Sequence, residues 1–149
     1  MIKCAIDIGR RLLPGDRVLV SGPMGAGKTT FCKALIAAWS DGAHVAEGSP
    51  SFAIAHEYAG GRTQHGLVHL DLYRLKDESE LTHAGVWSYL WDDSRRVVIG
   101  EWLDRFADLY RDLLDPKLNQ GRNIFRIGIQ FDPTGPDNNR LLEVEECPC

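Results

Sequence analysis

An apolar run, Val18-Leu19-Val20, leads directly into Ser21-Gly22-Pro23-Met24-Gly25-Ala26-Gly27-Lys28-Thr29-Thr30, and a helix-like pattern follows. Few short strings constrain a fold as tightly. Gly-x-x-x-x-Gly-Lys-Thr, from Gly22 to Thr29, needs a strand before it and a helix after it, because its chemistry depends on backbone N–H groups turned inward around an anion. Glycines keep side chains out of that cradle. Lys28 brings a point charge to the terminal phosphates, and Thr29 brings a hydroxyl for Mg²⁺. The start of the helix adds the positive end of its dipole. Gly22, Pro23, Met24, Gly25, Ala26, Gly27, Lys28, Thr29 and Thr30 are therefore the expected cradle for a nucleoside triphosphate with Mg²⁺.

The rest of the chain reads as one α/β domain over residues 1–149, in which 44% apolar content suffices for a core. Residues 2–13 have helical spacing and stop at Pro14-Gly15. Asp16–Ser21 is a short buried strand, and Thr29–Ser40 is the helix after the loop. Phe52–Ala59 and Leu67–Leu72 are strands with no room for a helix between them, so they form an antiparallel hairpin. Glu78–Ala84 and Val86–Trp91 are short helices broken at Gly85, Arg96–Glu101 is an apolar strand, and residues 103–114 are helical. Asn123–Phe131 and Arg140–Glu145 are strands joined through the Pro133–Asp137 turn as a second hairpin. The expected fold is a P-loop NTPase-like three-layer domain with a mixed parallel and antiparallel sheet.

A net charge of −4 argues against a chain whose main task is to grip a nucleic-acid backbone. Cys4, Cys32, Cys147 and Cys149 lack the paired spacing of a zinc site. No apolar run approaches a membrane span, and the start lacks the apolar core of a signal peptide. A cytoplasmic, membrane-free protein is expected.

A P-loop needs a further acid for Mg²⁺, normally at the end of an apolar strand. Leu67-Val68-His69-Leu70-Asp71 and Val97-Val98-Ile99-Gly100-Glu101 each end in one. Either Asp71 or Glu101 can serve the metal, and the other can orient the attacking water. Ser49-Pro50-Ser51 lies where a segment can fold over the γ-phosphate, a task that suits a small hydroxyl such as Ser51. His69 alternates with Val68 and Leu70 and reads as a satisfied strand histidine rather than a metal ligand. Trp87, Trp91 and Trp102 read mainly as core. Arg74 and Arg105 stand within range of a phosphate, although surface or ion-pair roles are commoner for arginine.

Taken in order, Gly25-Ala26-Gly27-Lys28-Thr29-Thr30, Ser49-Pro50-Ser51-Phe52, Glu57-Tyr58, His69-Leu70-Asp71-Leu72-Tyr73-Arg74-Leu75 and Glu101-Trp102 resemble the TsaE (YjeE) family. The resemblance runs from about residue 4 to residue 145. It implies a small ATPase that acts with the protein partners TsaD and TsaB in threonylcarbamoyl modification of adenosine beside the anticodon of tRNA, meeting the tRNA only indirectly. It further implies Mg²⁺ on Thr29 and Glu101, a catalytic or switch role for Asp71, a functional Trp102, and Arg140 as the nearest match to a nucleotide-touching arginine. The chain departs from the family pattern at Pro23, Ala53 and Leu103. ATP and Mg²⁺ are the expected cofactors, and Lys28, Asp71 and Glu101 the expected catalytic groups. The alternatives are a small-molecule kinase of the P-loop class and a nucleotide-gated binding module with negligible hydrolysis.

Overall fold

The computed structural model describes residues 1–44, 54–61, 64–92, 95–119, 121–135 and 139–147. Within them, helix α1 (Ile2–Arg11) precedes strand β1 (Arg17–Ser21), the loop and helix α2 (Lys28–Trp39). Strands β2 (Ala55–Tyr58) and β3 (Leu67–Asp71) follow, then helices α3 (Glu78–His83) and α4 (Val86–Trp91) and strand β4 (Val97–Glu101). A 3-10 helix (Leu103–Arg105), helices α5 (Ala107–Leu114) and α6 (Pro116–Asn119), and strands β5 (Ile124–Phe131) and β6 (Arg140–Cys147) complete the order.

The six strands form one sheet in the order β2-β3-β4-β1-β5-β6. Its four inner strands, β3, β4, β1 and β5, run parallel, while β2 and β6 pair antiparallel at the two edges. Both expected hairpins are present. The inner strands β3 and β4 are buried along their whole length, as parallel strands covered on both faces must be. Side chains along β1 alternate between two cores. Val18 and Val20 join Ala5, Ile8, Phe31 and Leu35 beneath α1 and α2. Leu19 joins Leu70, Leu81, Leu90, Val98 and Leu109 beneath α3, α4 and α5. The result is the P-loop NTPase-like three-layer arrangement of helices, mixed sheet and helices.

The structure departs from the sequence reading in one helix end, one split element and one added helix, besides small shifts at other ends. The first helix stops at Arg11, because Leu12 turns out of the helix at φ −57° and ψ 132° and the Leu13 N–H is taken by Asp16 Oδ2 at 2.8 Å. The pattern over 103–114 is two elements, since Phe106 is extended between the 3-10 helix and α5. The helix α6 is additional. Among the described residues no helix is long and apolar enough to cross a membrane.

Candidate nucleotide site

Every inner parallel strand carries its carboxyl end to the same edge, which is where open α/β sheets place their ligands. Ser21 ends β1, Asp71 ends β3 and Glu101 ends β4. The register sets Val20 opposite Glu101 and Glu101 opposite Asp71. Two acids far apart in the sequence therefore stand side by side next to the loop that leaves β1.

The loop itself is fitted to its neighbour strand. Gly22 has φ +140°, and a Cβ there would lie 2.1 Å from the Ile129 carbonyl oxygen of β5. Any side chain would push the first turn of the loop off the sheet. Gly100 answers a different need: a Cβ would lie 2.1 Å from Leu103 Cδ1, so glycine lets the 3-10 helix close over the end of β4, just before Glu101.

Met24, Gly25, Gly27, Lys28, Thr29, Thr30, Asp71, Tyr73, Glu101 and Trp102 line a cleft of about 450 Å³. Its charged groups are nearly dry: Lys28, Asp71 and Glu101 are 5%, 2% and 1% exposed. Lys28 Nζ donates to the carbonyls of Gly22 at 2.7 Å and Pro23 at 2.9 Å and sits 3.6 Å from the centre of the Trp102 ring. Burial pulls its ammonium below the ordinary lysine value, with Glu101, Asp104 and Asp71 pulling the other way. Trp102 reaches this position from a left-handed backbone at φ +66°, a strain of about 1–2 kcal/mol for a residue with a Cβ. Tyr73 packs against it with ring centres 5.1 Å apart.

The Thr29 hydroxyl donates to Glu101 Oε2 at 3.1 Å. The other carboxylate oxygen, Oε1, meets His69 Nε2 at 2.9 Å. Asp71 Oδ1 accepts the Tyr73 N–H at 3.0 Å. On the cleft side the available donors are thus the oxygens of Thr29, Asp71 and Glu101, a hard set that suits Mg²⁺. On the core side Cys32, His69 and Glu101 bring their donor atoms within 4.8 Å of one another, all buried. Burial pushes the Cys32 thiol well above its ordinary range, and Glu101, to which it hydrogen-bonds, adds to this.

Of the loop residues named from the sequence, Met24, Gly25, Gly27, Lys28, Thr29 and Thr30 line the cleft. Gly22 and Pro23 present their carbonyls to Lys28 and otherwise face a separate depression with Ile129 and Phe131. Ala26 is buried. Arg140 is off the cleft wall: its Nε donates to the Ala26 carbonyl at 3.1 Å and its guanidinium lies 4.4 Å over the Phe131 ring. It braces the loop from behind. Arg105 is turned to Tyr73, donating to its carbonyl and packing on its ring. Trp87 and Trp91 pack on the second core. Ser51 and its neighbours Ser49, Pro50, Phe52 and Ala53 lie outside the described residues. Sequence reasoning passed over Cys32 and treated His69 as bland. The usable signal was His69-x-Asp71, since residues two apart on a strand share a face.

A family model described as "Threonylcarbamoyl adenosine biosynthesis protein TsaE" matches residues 1–127. A Rickettsia conorii protein named "tRNA threonylcarbamoyladenosine biosynthesis protein TsaE" is 32% identical over 140 residues, covering 94% of this chain and 69% of the relative. A Mycobacterium tuberculosis protein of the same name is 34% identical over 121 residues, 76% of this chain and 69% of the relative. The crystal structure of Bacillus subtilis YdiB superposes with a TM-score of 0.62 at 24% identity, over 99% of this chain and 78% of that one, a likeness of fold. The breadth of the family match and the identity to relatives across most of their length lead to one conclusion: this chain belongs to the TsaE family of threonylcarbamoyl adenosine biosynthesis proteins.

Proposed function

We propose that the protein binds ATP with Mg²⁺ in the cleft at the end of β1, β3 and β4, and hydrolyses it slowly as an accessory to a TsaD–TsaB complex in tRNA threonylcarbamoylation. The observation that carries this reading is the convergence of Lys28, Thr29, Asp71 and Glu101 on one cleft beside the glycine loop. The loop N–H groups and Lys28 hold the phosphates. Thr29 and Glu101 hold Mg²⁺, which would neutralise charge on the phosphate oxygens when bound. Asp71 stands across from Glu101 and orients water at the terminal phosphate or couples its presence to the segment around Ser51.

Slow basal turnover follows from what the cleft lacks. Among the described residues its lining contains neither a glutamine to hold the attacking water nor an arginine to meet developing charge. Two arginines near the cleft are engaged elsewhere, Arg105 with Tyr73 and Arg140 with the Ala26 carbonyl. We assign the acceleration to a partner, and place the work in the cytoplasm where the tRNA is. A kinase of this class would place strand–helix–strand where this chain has the β2–β3 hairpin.

Phosphate release, measured alone and with TsaD–TsaB across a range of protein concentrations, tests the proposal. The expected outcome is a slow rate alone and a rate raised on the order of tenfold or more by the partners. Equal rates in both conditions would sink the partner-activation reading.

A further inference from the structure

A carboxylate that is to hold a metal has to be held itself, or it swings about its last torsion and presents either oxygen. Glu101 has one oxygen, Oε2, against Thr29 at 3.1 Å and the other, Oε1, against His69 Nε2 at 2.9 Å. Both His69 and Glu101 are effectively dry, at 0% and 1% exposure. We infer that His69 is a positioning residue for Glu101: its Nε2–H fixes Oε1 from the core side and so keeps Oε2 aimed at Thr29 and the cleft. The inference rests on the reading of Glu101 as the acid that holds Mg²⁺.

Three features of the chain favour this over packing. First, facing a carboxylate oxygen, the imidazole nitrogen has to be the donor, which sets the Nε2–H tautomer when the ring is neutral. Second, Nδ1 is then left buried without a hydrogen-bond partner, an arrangement that costs about 1–3 kcal/mol. Leu or Met would fill the same volume without that cost but would leave the dry Glu101 Oε1 without its donor, so what the histidine supplies here is its hold on Glu101. Third, β3 places His69 on the same face as Asp71, and its register sets them opposite Ile99 and Glu101 of β4. His69 is therefore one layer below the metal-facing acids, the place from which a supporting hydrogen bond acts. Cys32, one helical turn after Thr29 on α2, closes the remaining side, its sulfur within 4.8 Å of the His69 and Glu101 donor atoms. Groups that orient a metal-ligating carboxylate typically change metal affinity about 10–100-fold when removed.

Calorimetric binding of a non-hydrolysable ATP analogue to the full chain, with Mg²⁺ and with EDTA, separates metal-dependent from metal-independent affinity. In His69→Leu the Mg²⁺-dependent gain should fall about tenfold or more, while affinity in EDTA stays within about twofold and a thermal melt shows a folded protein. His69→Gln, whose amide N–H₂ reaches as far as Nε2, should retain most of the gain. His69→Asn, which ends at the level of Nδ1, should lose it, and the Gln and Asn variants decide the matter if the leucine variant does not fold. Glu101→Gln is the reference. If Glu101→Gln loses the gain and folded His69→Leu and His69→Asn keep it, the inference fails and the reading of Glu101 stands. If Glu101→Gln keeps the gain, Glu101 is not the metal acid and the inference falls with that reading.

Discussion

The parallel strands bury charge at both of their ends, and the two ends treat it differently. At the amino end of β1, the Arg17 guanidinium donates to the carbonyls of Gly15 at 2.7 Å, Arg96 at 2.8 Å, Leu90 at 3.1 Å and Asp16 at 3.3 Å. Asp16 accepts from the Leu13 N–H at 2.8 Å and from Asn123 Nδ2 at 3.1 Å. Asn119 Nδ2 donates to the Arg122 carbonyl at 2.9 Å. Most of these partners are backbone atoms, fixed by the helices and strands that carry them. At the carboxyl end, Lys28, Asp71 and Glu101 also have partners, two loop carbonyls for Lys28, the Tyr73 N–H for Asp71, and the Thr29 hydroxyl and His69 ring for Glu101, but these groups stand on a cleft wall. In the proposed reading, a phosphate replaces the Gly22 and Pro23 carbonyls around Lys28, and a cation comes between Thr29 and Glu101. Arg17 is 1% exposed and is not among the residues that line that cleft. Buried charge at the first end closes the fold, whereas at the second it is held ready for exchange.

The sharpest way to break this contrast is to remove the guanidinium at the closed end. Arg17→Met keeps much of the stem and leaves several carbonyls from the ends of α4, β1 and β4 without their donor. The expected loss is about 3–5 kcal/mol of unfolding free energy, read from urea denaturation. ATP affinity of the remaining folded protein should be unchanged. A variant that melts like the wild type would mean that water satisfies those carbonyls and that the closed end is not closed.

Lys28→Ala is the matching change at the open end, and its effect should appear in the other measurement. A charged donor to the phosphates is worth about a hundredfold in affinity, or about 2.7 kcal/mol. The stability change should stay under about 1 kcal/mol, because the lost hydrogen bonds to Gly22 and Pro23 are offset by relief of a buried ammonium. Calorimetric ATP binding and urea denaturation on the same preparation check both halves. If Lys28→Ala unfolds as readily as Arg17→Met, the lysine is as much a part of the fold as the arginine, and the distinction between the ends is lost.

That distinction also marks what could be read in the chain before its fold was known. The glycine loop was legible because its chemistry is contiguous from Gly22 to Thr29. That Asp71 and Glu101 end strands was legible because each closes an apolar run, and the two hairpins because their turns leave no room for a crossover. The strand order was not legible. It sets β4 between β3 and β1, and only that order brings His69 to Glu101 and sets Asp71 beside it. Arg17 looked like one member of a short buried strand, since nothing local says that carbonyls from Leu90 and Arg96 will gather around it. The break near Phe106 was hidden for a related reason. Trp102 takes a left-handed backbone that its residue type disfavours, and tertiary contacts with Lys28 and Tyr73 select it.

The smallest expected effect tests whether the closed end holds Asp16 by its charge or in spite of it. Burial raises the Asp16 carboxyl above its ordinary value, while the hydrogen bonds from Leu13 and Asn123 and the charge of Arg17 oppose the rise. With the folded value above the unfolded one, the native state holds the proton more tightly, and stability falls as pH rises through that interval. Asp16's contribution is therefore full below about pH 3.9 and is lost as pH climbs through the folded value. Asp16→Asn removes that titration and, with the Asn123 amide turned over, retains both hydrogen bonds. Its stability relative to wild type should rise as pH climbs above about 4, read as urea midpoints at matched ionic strength. A relative stability that instead falls with pH would mean that the two hydrogen bonds and Arg17 outweigh burial. The closed end would then depend on an ionised carboxylate, and the two ends would differ in access to the cleft alone.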